Sequence, residues 1–215
     1  MTTPDDSADH STPDHETLDD DKAALFPASG SDLVALHARL ASWAETAGVL
    51  DVAYRTIESP IGDLLLAATE TGLVRIAFSR EGFDDVLRRL AERISPRILR
   101  SPARLDAAAA QLTEYFAGRR HTFDLPLDRR LSTGFRQQVH LYLPRIGYGY
   151  TLSYRQLAEL VGNPKAVRAV GTACATNPLP IVVPCHRVTR SDGSTGGYAG
   201  GPDAKTTLLA LERAA

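Results

Sequence analysis

Apolar residues recur three and four positions apart over several stretches of this chain and alternate over others, and the two rhythms predict a mixed α and β architecture. Leu33, Leu36, Leu40, Trp43 and Ala47 share one helical face, with Ser31 or Asp32 as cap and Gly48 as stop. One amphipathic helix must pack on something, and this one is expected to dock on the domain that follows it. Val52 to Ile57 reads as a strand and Ser59-Pro60-Ile61-Gly62 as a turn. Leu64 to Ala68 and Leu73 to Phe78 then form a hairpin around Glu70-Thr71-Gly72. Phe83, Val86, Leu87, Leu90 and Ile94 make one helical stripe, and Leu105, Ala109, Leu112 and Phe116 another. Asp124, Asp128, Arg129 and Arg130 surround Pro126 in a segment that reads as a linker.

A second group of elements follows. Thr133 caps a predicted helix with Phe135, Val139, Tyr142 and Leu143 on one face, stopped by Pro144; Gly147 to Tyr150 is a loop. Ser153-x-x-Gln156 is a capping box ahead of Leu157, Leu160 and Val161, and Gly162 ends that helix. Asn163 is expected to cap the next helix with Pro164 in its first position. Val167, Val170 and Cys174 form its inner face, leaving Lys165 and Arg168 free to reach phosphates. Two short helices joined by a Gly-Asn turn read as a helix-turn-helix, a motif also common outside DNA-binding proteins.

The expected domains are a disordered acidic tail over 1–27, a helical extension over 28–50, an α+β domain over 51–128 and a helical domain over 129–215. The net charge of −2 conceals a strong asymmetry. Residues 1–27 carry eight acids against Lys22, whereas residues 129–215 carry eleven Lys or Arg against Glu159, Asp192, Asp203 and Glu212. A basic C-terminal half suits a polyanion, although an ordinary solvated surface has the same composition. Two cysteines in 215 residues make no disulfide framework and point to a reducing compartment. Without Cys-x-x-Cys or clustered histidines, no zinc site is expected. No stretch is apolar enough for a membrane span, so a soluble, cytoplasmic protein is expected.

The chemistry concentrates at Ile181-Val182-Val183-Pro184-Cys185-His186-Arg187-Val188. An apolar, strand-like run stops at a proline, and a thiol, an imidazole and a guanidinium follow. Such neighbours raise the thiolate fraction of a cysteine and make it a nucleophile. A core cysteine at a strand end is the other reading these residues allow. On a strand Cys185 and His186 point to opposite faces, so they cooperate only if the backbone turns or a water bridges them.

Taken together, Phe135-Arg136-Gln137-Gln138-Val139, Ser153-Tyr154, Gly162 to Ala166, Arg168 to Gly171, Asn177-Pro178, Pro184-Cys185-His186-Arg187-Val188 and Tyr198 resemble the O6-alkylguanine-DNA alkyltransferases, also called methylated-DNA–protein-cysteine methyltransferases. Ser59 to Gly62 with Leu64 to Ala68 is a weaker match, and the similarity covers roughly residues 52–212. The resemblance implies an α/β (α+β) fold: a ribonuclease-H-like N-terminal domain of mainly structural role and a helical C-terminal domain with a helix-turn-helix. It implies irreversible, single-turnover transfer of an alkyl group to Cys185 from O6-alkylguanine, with O4-alkylthymine as a second candidate lesion. The base is flipped from the duplex.

The same resemblance assigns roles. Cys185, His186 and Glu212 form a relay through a water, and Tyr154 rotates the phosphate and donates a proton to the departing guanine. Asn177 braces the turn before the active-site strand. Arg168 fills the space the base leaves, with Lys165 and Arg187 as further DNA contacts, and the second helix lies in the minor groove. Pro180, Tyr198, Ala199 and Gly200 line the pocket, within a glycine-rich loop over 194–201. No cofactor or metal is implied. The partner is double-stranded DNA, bound by a monomer whose cooperativity on DNA stays open. Three positions depart from the family pattern: Ala199 stands where serine is frequent, His140 where tryptophan is usual, and Gly147 where proline is usual. A damage-binding relative without transfer, a thiol-sensing regulator and a cysteine hydrolase are weaker alternatives. The presence of Cys185 argues against the first, and a minor-groove mode offers the second little sequence readout.

Overall fold

A computed structural model describes residues 30–213; the expected acidic tail lies outside the described residues. Helix α1 (Gly30–Thr46) is followed by β1 (Val52–Ile57), β2 (Leu64–Thr69), β3 (Gly72–Phe78), α2 (Phe83–Arg93), β4 (Ile98–Arg100) and α3 (Asp106–Phe116). Then come α4 (Gly134–Tyr142), β5 (Leu152–Ser153), α5 (Tyr154–Leu160), α6 (Val167–Ala175), β6 (Val188–Thr189) and α7 (Gly201–Arg213).

The first four strands make one sheet in the order β3-β2-β1-β4, with β1 antiparallel to β2, β2 antiparallel to β3, and β4 parallel to β1. Strand β2 is buried along its whole length because both faces are covered, which explains its unbroken apolar run. Leu65 and Ala67 face Val86 and Leu90 of α2, whereas Leu64 and Leu66 face the opposite way into a larger core. That larger core takes Leu112 and Tyr115 from α3, Val139 from α4, Leu157 from α5, Val170 from α6 and Leu208 from α7. The sheet and the C-terminal helices therefore share one apolar interior, and Cys185 sits within it.

Three expectations change. In the part of α1 from Leu40 onward the large apolar residues do not face inward: Leu40 and Trp43 are exposed, and small Ala41 and Ala44 are the buried positions. Ala44 packs with Leu50 and Ala53, where an alanine allows a closer approach than a leucine would. The segment around Pro126 is no loose linker. Leu73 donates to the Pro126 carbonyl at 2.9 Å, Asp128 donates to the Leu73 carbonyl at 2.9 Å, and the buried Asp128 carboxylate accepts from Thr69 at 2.6 Å. The third change falls in the helix-turn-helix. Ser153 and Gln156 form the expected capping box, but α6 starts at Val167, so Asn163 and Pro164 belong to the turn. Lys165 therefore stands exposed in that turn, while Arg168 stands exposed in the first turn of α6.

Candidate active site

The run Ile181-Val182-Val183 is not a strand. It is a pair of overlapping turns in which Val183 donates to the Leu179 carbonyl and Cys185 donates to the Val183 carbonyl, both at 2.8 Å. Ile181 adopts φ 75°, a left-handed value that crowds a β-branched side chain and costs of order 1–3 kcal/mol. Asn177 holds these turns with both ends of its amide. Its Nδ2 donates to the Val183 carbonyl at 2.7 Å and to Cys185 Sγ at 3.2 Å, and its Oδ1 accepts from Leu179 N at 3.0 Å. Cys185, His186 and Arg187 then form a single 3-10 turn. The backbone turn removes the difficulty of opposite strand faces.

Beneath the cysteine lies a buried polar network centred on Glu212. Its Oε1 accepts from His186 Nε2 at 2.9 Å, from Tyr115 Oη at 2.7 Å and from Arg187 Nη2 at 2.8 Å. Its Oε2 accepts from Arg187 Nε at 2.8 Å and from Gly149 N at 3.2 Å. Gly149 has φ 76°, and a Cβ there would stand 3.0 Å from the Glu212 carbonyl oxygen, so only glycine brings the backbone this close. Burial opposes ionisation of Glu212, yet His186, Arg187 and Tyr115 together hold its carboxyl far below the usual carboxylate range.

The network fixes the histidine tautomer. An ionised carboxylate only accepts, so His186 Nε2 carries the proton and Nδ1 keeps a lone pair. Nδ1 is buried and has no hydrogen-bond partner among the described residues. Burial lowers the pKa of His186 against the pull of Glu212, keeping the ring neutral and able to take a proton.

The thiol itself departs from the expectation of an acidified cysteine. Burial pushes Cys185 up to about 11, against the opposing effects of Asn177 and Lys205. At pH 7 only about one molecule in ten thousand then holds a resting thiolate. A thiol in this state needs a base to become a nucleophile, and the neutral ring of His186 is the neighbouring base.

Around this centre stand Tyr154, Lys205 and the pocket loop. Burial raises Tyr154 to about 12, so its hydroxyl keeps its proton. Gly196 of the loop approaches it so closely that a Cβ would lie 2.8 Å from the Tyr154 oxygen. Tyr198 sets its ring edge-on to Phe78 and His186, at centroid distances of 5.4 and 6.4 Å, and its buried hydroxyl has no partner among the described residues. Pro180 is buried, while Ala199 and Gly200 are half-buried in the loop.

Lys205 was not singled out by the sequence. Its side chain is fully buried, Nζ donates to the Val188 carbonyl at 2.5 Å, and it lies 5.8 Å from the Tyr154 ring centroid. Tyr115 was missed too, although it links α3 directly to the Glu212 carboxylate. Arg187 corrects an expectation. It is buried, its guanidinium is occupied by Glu212 and by the Ile146 carbonyl at 2.6 Å, and it cannot reach DNA phosphates. His140 is also buried, with Nε2 bonded to the Ala173 carbonyl at 2.7 Å and Nδ1 to Ser132 at 2.5 Å. Among the described residues no group of three or more His, Cys, Asp or Glu could hold a metal ion.

Comparison with known proteins decides the kinship. The family model described as 6-O-methylguanine DNA methyltransferase, DNA binding domain, matches residues 134–214, and that described as its ribonuclease-like domain matches residues 52–129. A Bacillus subtilis protein named constitutive methylated-DNA–protein-cysteine methyltransferase is 44% identical over 74% of this chain and 94% of its own length. The chain belongs to the O6-alkylguanine-DNA alkyltransferase family. The Mycobacterium tuberculosis O6-methylguanine methyltransferase has a crystal structure similar to this one, with a TM-score of 0.67 and 40% identity, covering 76% of this chain and 93% of that one. A Mycobacterium tuberculosis OGT in complex with DNA gives a TM-score of 0.65 at 40% identity over 75% and 93% of the two chains. The alkyltransferase fold is thus present here: a ribonuclease-like domain and a helical DNA-binding domain, with DNA as partner. Among the described residues no helix is long and apolar enough to cross a membrane.

The two buried neutral histidines of this alkyltransferase have a consequence for stability. Burial lowers both His140 and His186 below the ordinary value of 6.5. The unfolded chain binds these two protons and the native state does not, so stability rises with pH across this range. Acidification from pH 6.5 to 5.5 should remove at most about 1 kcal/mol per histidine, because the unfolded imidazole is already half protonated at pH 6.5. Urea unfolding at a series of pH values checks this; a flat profile between pH 5.5 and 7.5 contradicts it.

Proposed function

We propose that this protein repairs O6-alkylguanine in double-stranded DNA by moving the alkyl group to Cys185 once and irreversibly. The observation that carries the reading is the open, buried Nδ1 lone pair of His186, backed by an ionised Glu212 and adjacent to Cys185. In the reaction the thiol proton passes through a water to His186 Nδ1, and Glu212 stabilises the imidazolium that forms. The sulfur attacks the alkyl carbon in line; the S–C bond forms as the C–O6 bond breaks. Guanine leaves with the electron pair and takes a proton from Tyr154, whose hydroxyl still holds it at neutral pH and recovers it afterwards from the imidazolium or from water. The thioether product has no route to hydrolysis, so each molecule acts once.

Reaching O6 requires the base outside the stack, because pairing and stacking shield it. Arg168, exposed at the start of α6, fills the vacated space, and Lys165 in the preceding turn contacts phosphate. Pro180, Tyr198, Ala199 and Gly200 form the pocket, with Ala199 contributing its main chain rather than the hydroxyl of a serine. The same pocket chemistry extends to O4-alkylthymine. Residues 51–128 and 129–215 act as the two domains of a cytoplasmic monomer, a division that the family matches over 52–129 and 134–214 support.

Arg168→Ala tests the flipping step. It should slow repair in duplex DNA at least tenfold while leaving dealkylation of the free modified base nearly unchanged, since the free base needs no extrusion. Single-turnover rates on both substrates separate the outcomes, and equal losses on the two contradict the role.

A further inference from the structure

Beside the pocket loop lies a cleft of about 350 Å³ walled by both parts of the protein. Arg89 and Arg93 reach it from α2, Arg136 from α4, and Arg75 from β3, with Glu81 as its carboxylate. The remaining wall includes Ala175 and Thr176 at the end of α6, and Ala199 of the loop. Arg75 is bound by Glu81 and donates to the Asn177 carbonyl at 3.4 Å. The other three guanidiniums are exposed, and among the described residues none has an acidic partner.

Arg89 and Arg93 stand four apart on one helical face, a spacing at which like charges repel by about 0.2–0.5 kcal/mol. Arg136 and Arg75 add to the same field, and Glu81 is the one acid among the residues that line the cleft. Four cations and one anion around a concave wall make a site for a polyanion. The cleft also adjoins the surface on which DNA must sit. Its wall is the C-terminal end of the helix whose first turn carries Arg168, and α6 spans only about 13 Å at 1.5 Å per residue. One DNA strand advances about 3.4 Å per nucleotide along the duplex axis, so a strand seated at Arg168 reaches the cleft within about four nucleotides.

We propose that Arg89, Arg93 and Arg136 bind backbone phosphates of the substrate DNA, making the ribonuclease-like domain part of the DNA-binding surface. This rests on the reading of α6 as the DNA-facing helix. It assigns to α2 a binding role beyond the structural one that the family resemblance implies for its domain.

The test is a salt titration of binding to duplex DNA carrying O6-methylguanine, comparing the wild-type protein with an Arg89→Gln/Arg93→Gln double variant. The double variant should bind about tenfold more weakly at low salt, and the slope of log affinity against log salt should shrink by about 1 to 2. Dealkylation of free O6-methylguanine should not change, since it makes no phosphate contact. Unchanged affinity and slope in a variant that still reacts with the free base overturn the cleft assignment and leave the DNA reading intact. Salt-independent binding by the wild-type protein would overturn that underlying reading as well.

A measurement on the unaltered protein avoids any dependence on the variant's folding. The duplex should protect Arg89, Arg93 and Arg136 from an arginine-selective dicarbonyl reagent, detected by peptide mass spectrometry, but not the exposed Arg119. Protection by inorganic pyrophosphate with none from the duplex assigns the cleft to free phosphates and overturns the proposal.

Discussion

Cys185→Ala should abolish repair outright, with lesion loss falling by more than about 10³-fold to the uncatalysed background, because no other group can accept the alkyl carbon. The only other cysteine, Cys174, is buried in the core, and burial raises its pKa further than that of Cys185. It has no histidine relay and cannot substitute. The variant should still bind methylated duplex DNA, since the helix-turn-helix is untouched and Ala fits where a buried thiol was. Removal of the methyl group from DNA by the folded variant contradicts the assignment; so does retention of wild-type rate with Cys174→Ala failing instead.

Glu212→Gln should damage both folding and chemistry. Among the described residues the carboxylate is the single counter-charge for the buried Arg187, and it is the orienting partner of His186 and Tyr115. Neutralising it leaves a guanidinium buried without its anion, a change that costs about 3–5 kcal/mol. The amide NH₂ would also face donors where the carboxylate accepted from every side. Transfer should slow by about 10²- to 10⁴-fold because the imidazolium formed during the reaction loses its stabilising charge. Urea unfolding and single-turnover kinetics measure the two effects separately. A loss of under about 1 kcal/mol contradicts the view that Glu212 anchors the network.

Local signals carried much of this fold. The Glu70-Thr71-Gly72 hairpin, the Ser153–Gln156 capping box and the α2 stripe each depend on residues close in sequence, and each is found where those residues predict it. The active cysteine was legible for the same reason, since Pro-Cys-His-Arg brings its reactive groups together in four positions. What could not be read depends on distant partners. Nothing local says that Tyr115 will meet Glu212 across 97 positions, or that Lys205 will end fully buried. Arg187 resembles a DNA-binding arginine until Glu212, 25 positions away, is seen to occupy it. Strand β4 is three residues long and pairs in parallel with β1, so neither its length nor its pattern announces it. In α1 the periodicity is correct, but from Leu40 onward the packed face is the other one, because Ala41 and Ala44 are buried and Leu40 and Trp43 are exposed.

The resting thiol carries a broader point. A neighbouring histidine and arginine suggest a cysteine held as thiolate, but Arg187 is bound to Glu212, and burial outweighs the pull of Asn177 and Lys205 and raises Cys185 to about 11. A buried thiol that stays protonated at rest is protected from indiscriminate oxidation and alkylation. This protection suits a protein that can use its sulfur only once.

Mass spectrometry of the protein after incubation with duplex DNA carrying one O6-methylguanine tests the central claim most directly. The account predicts a gain of about 14 Da, one methyl replacing one hydrogen, on the peptide containing Cys185, in one-to-one proportion with lesions removed. Lesion removal that exceeds the amount of protein, or that leaves Cys185 unmodified, would contradict it.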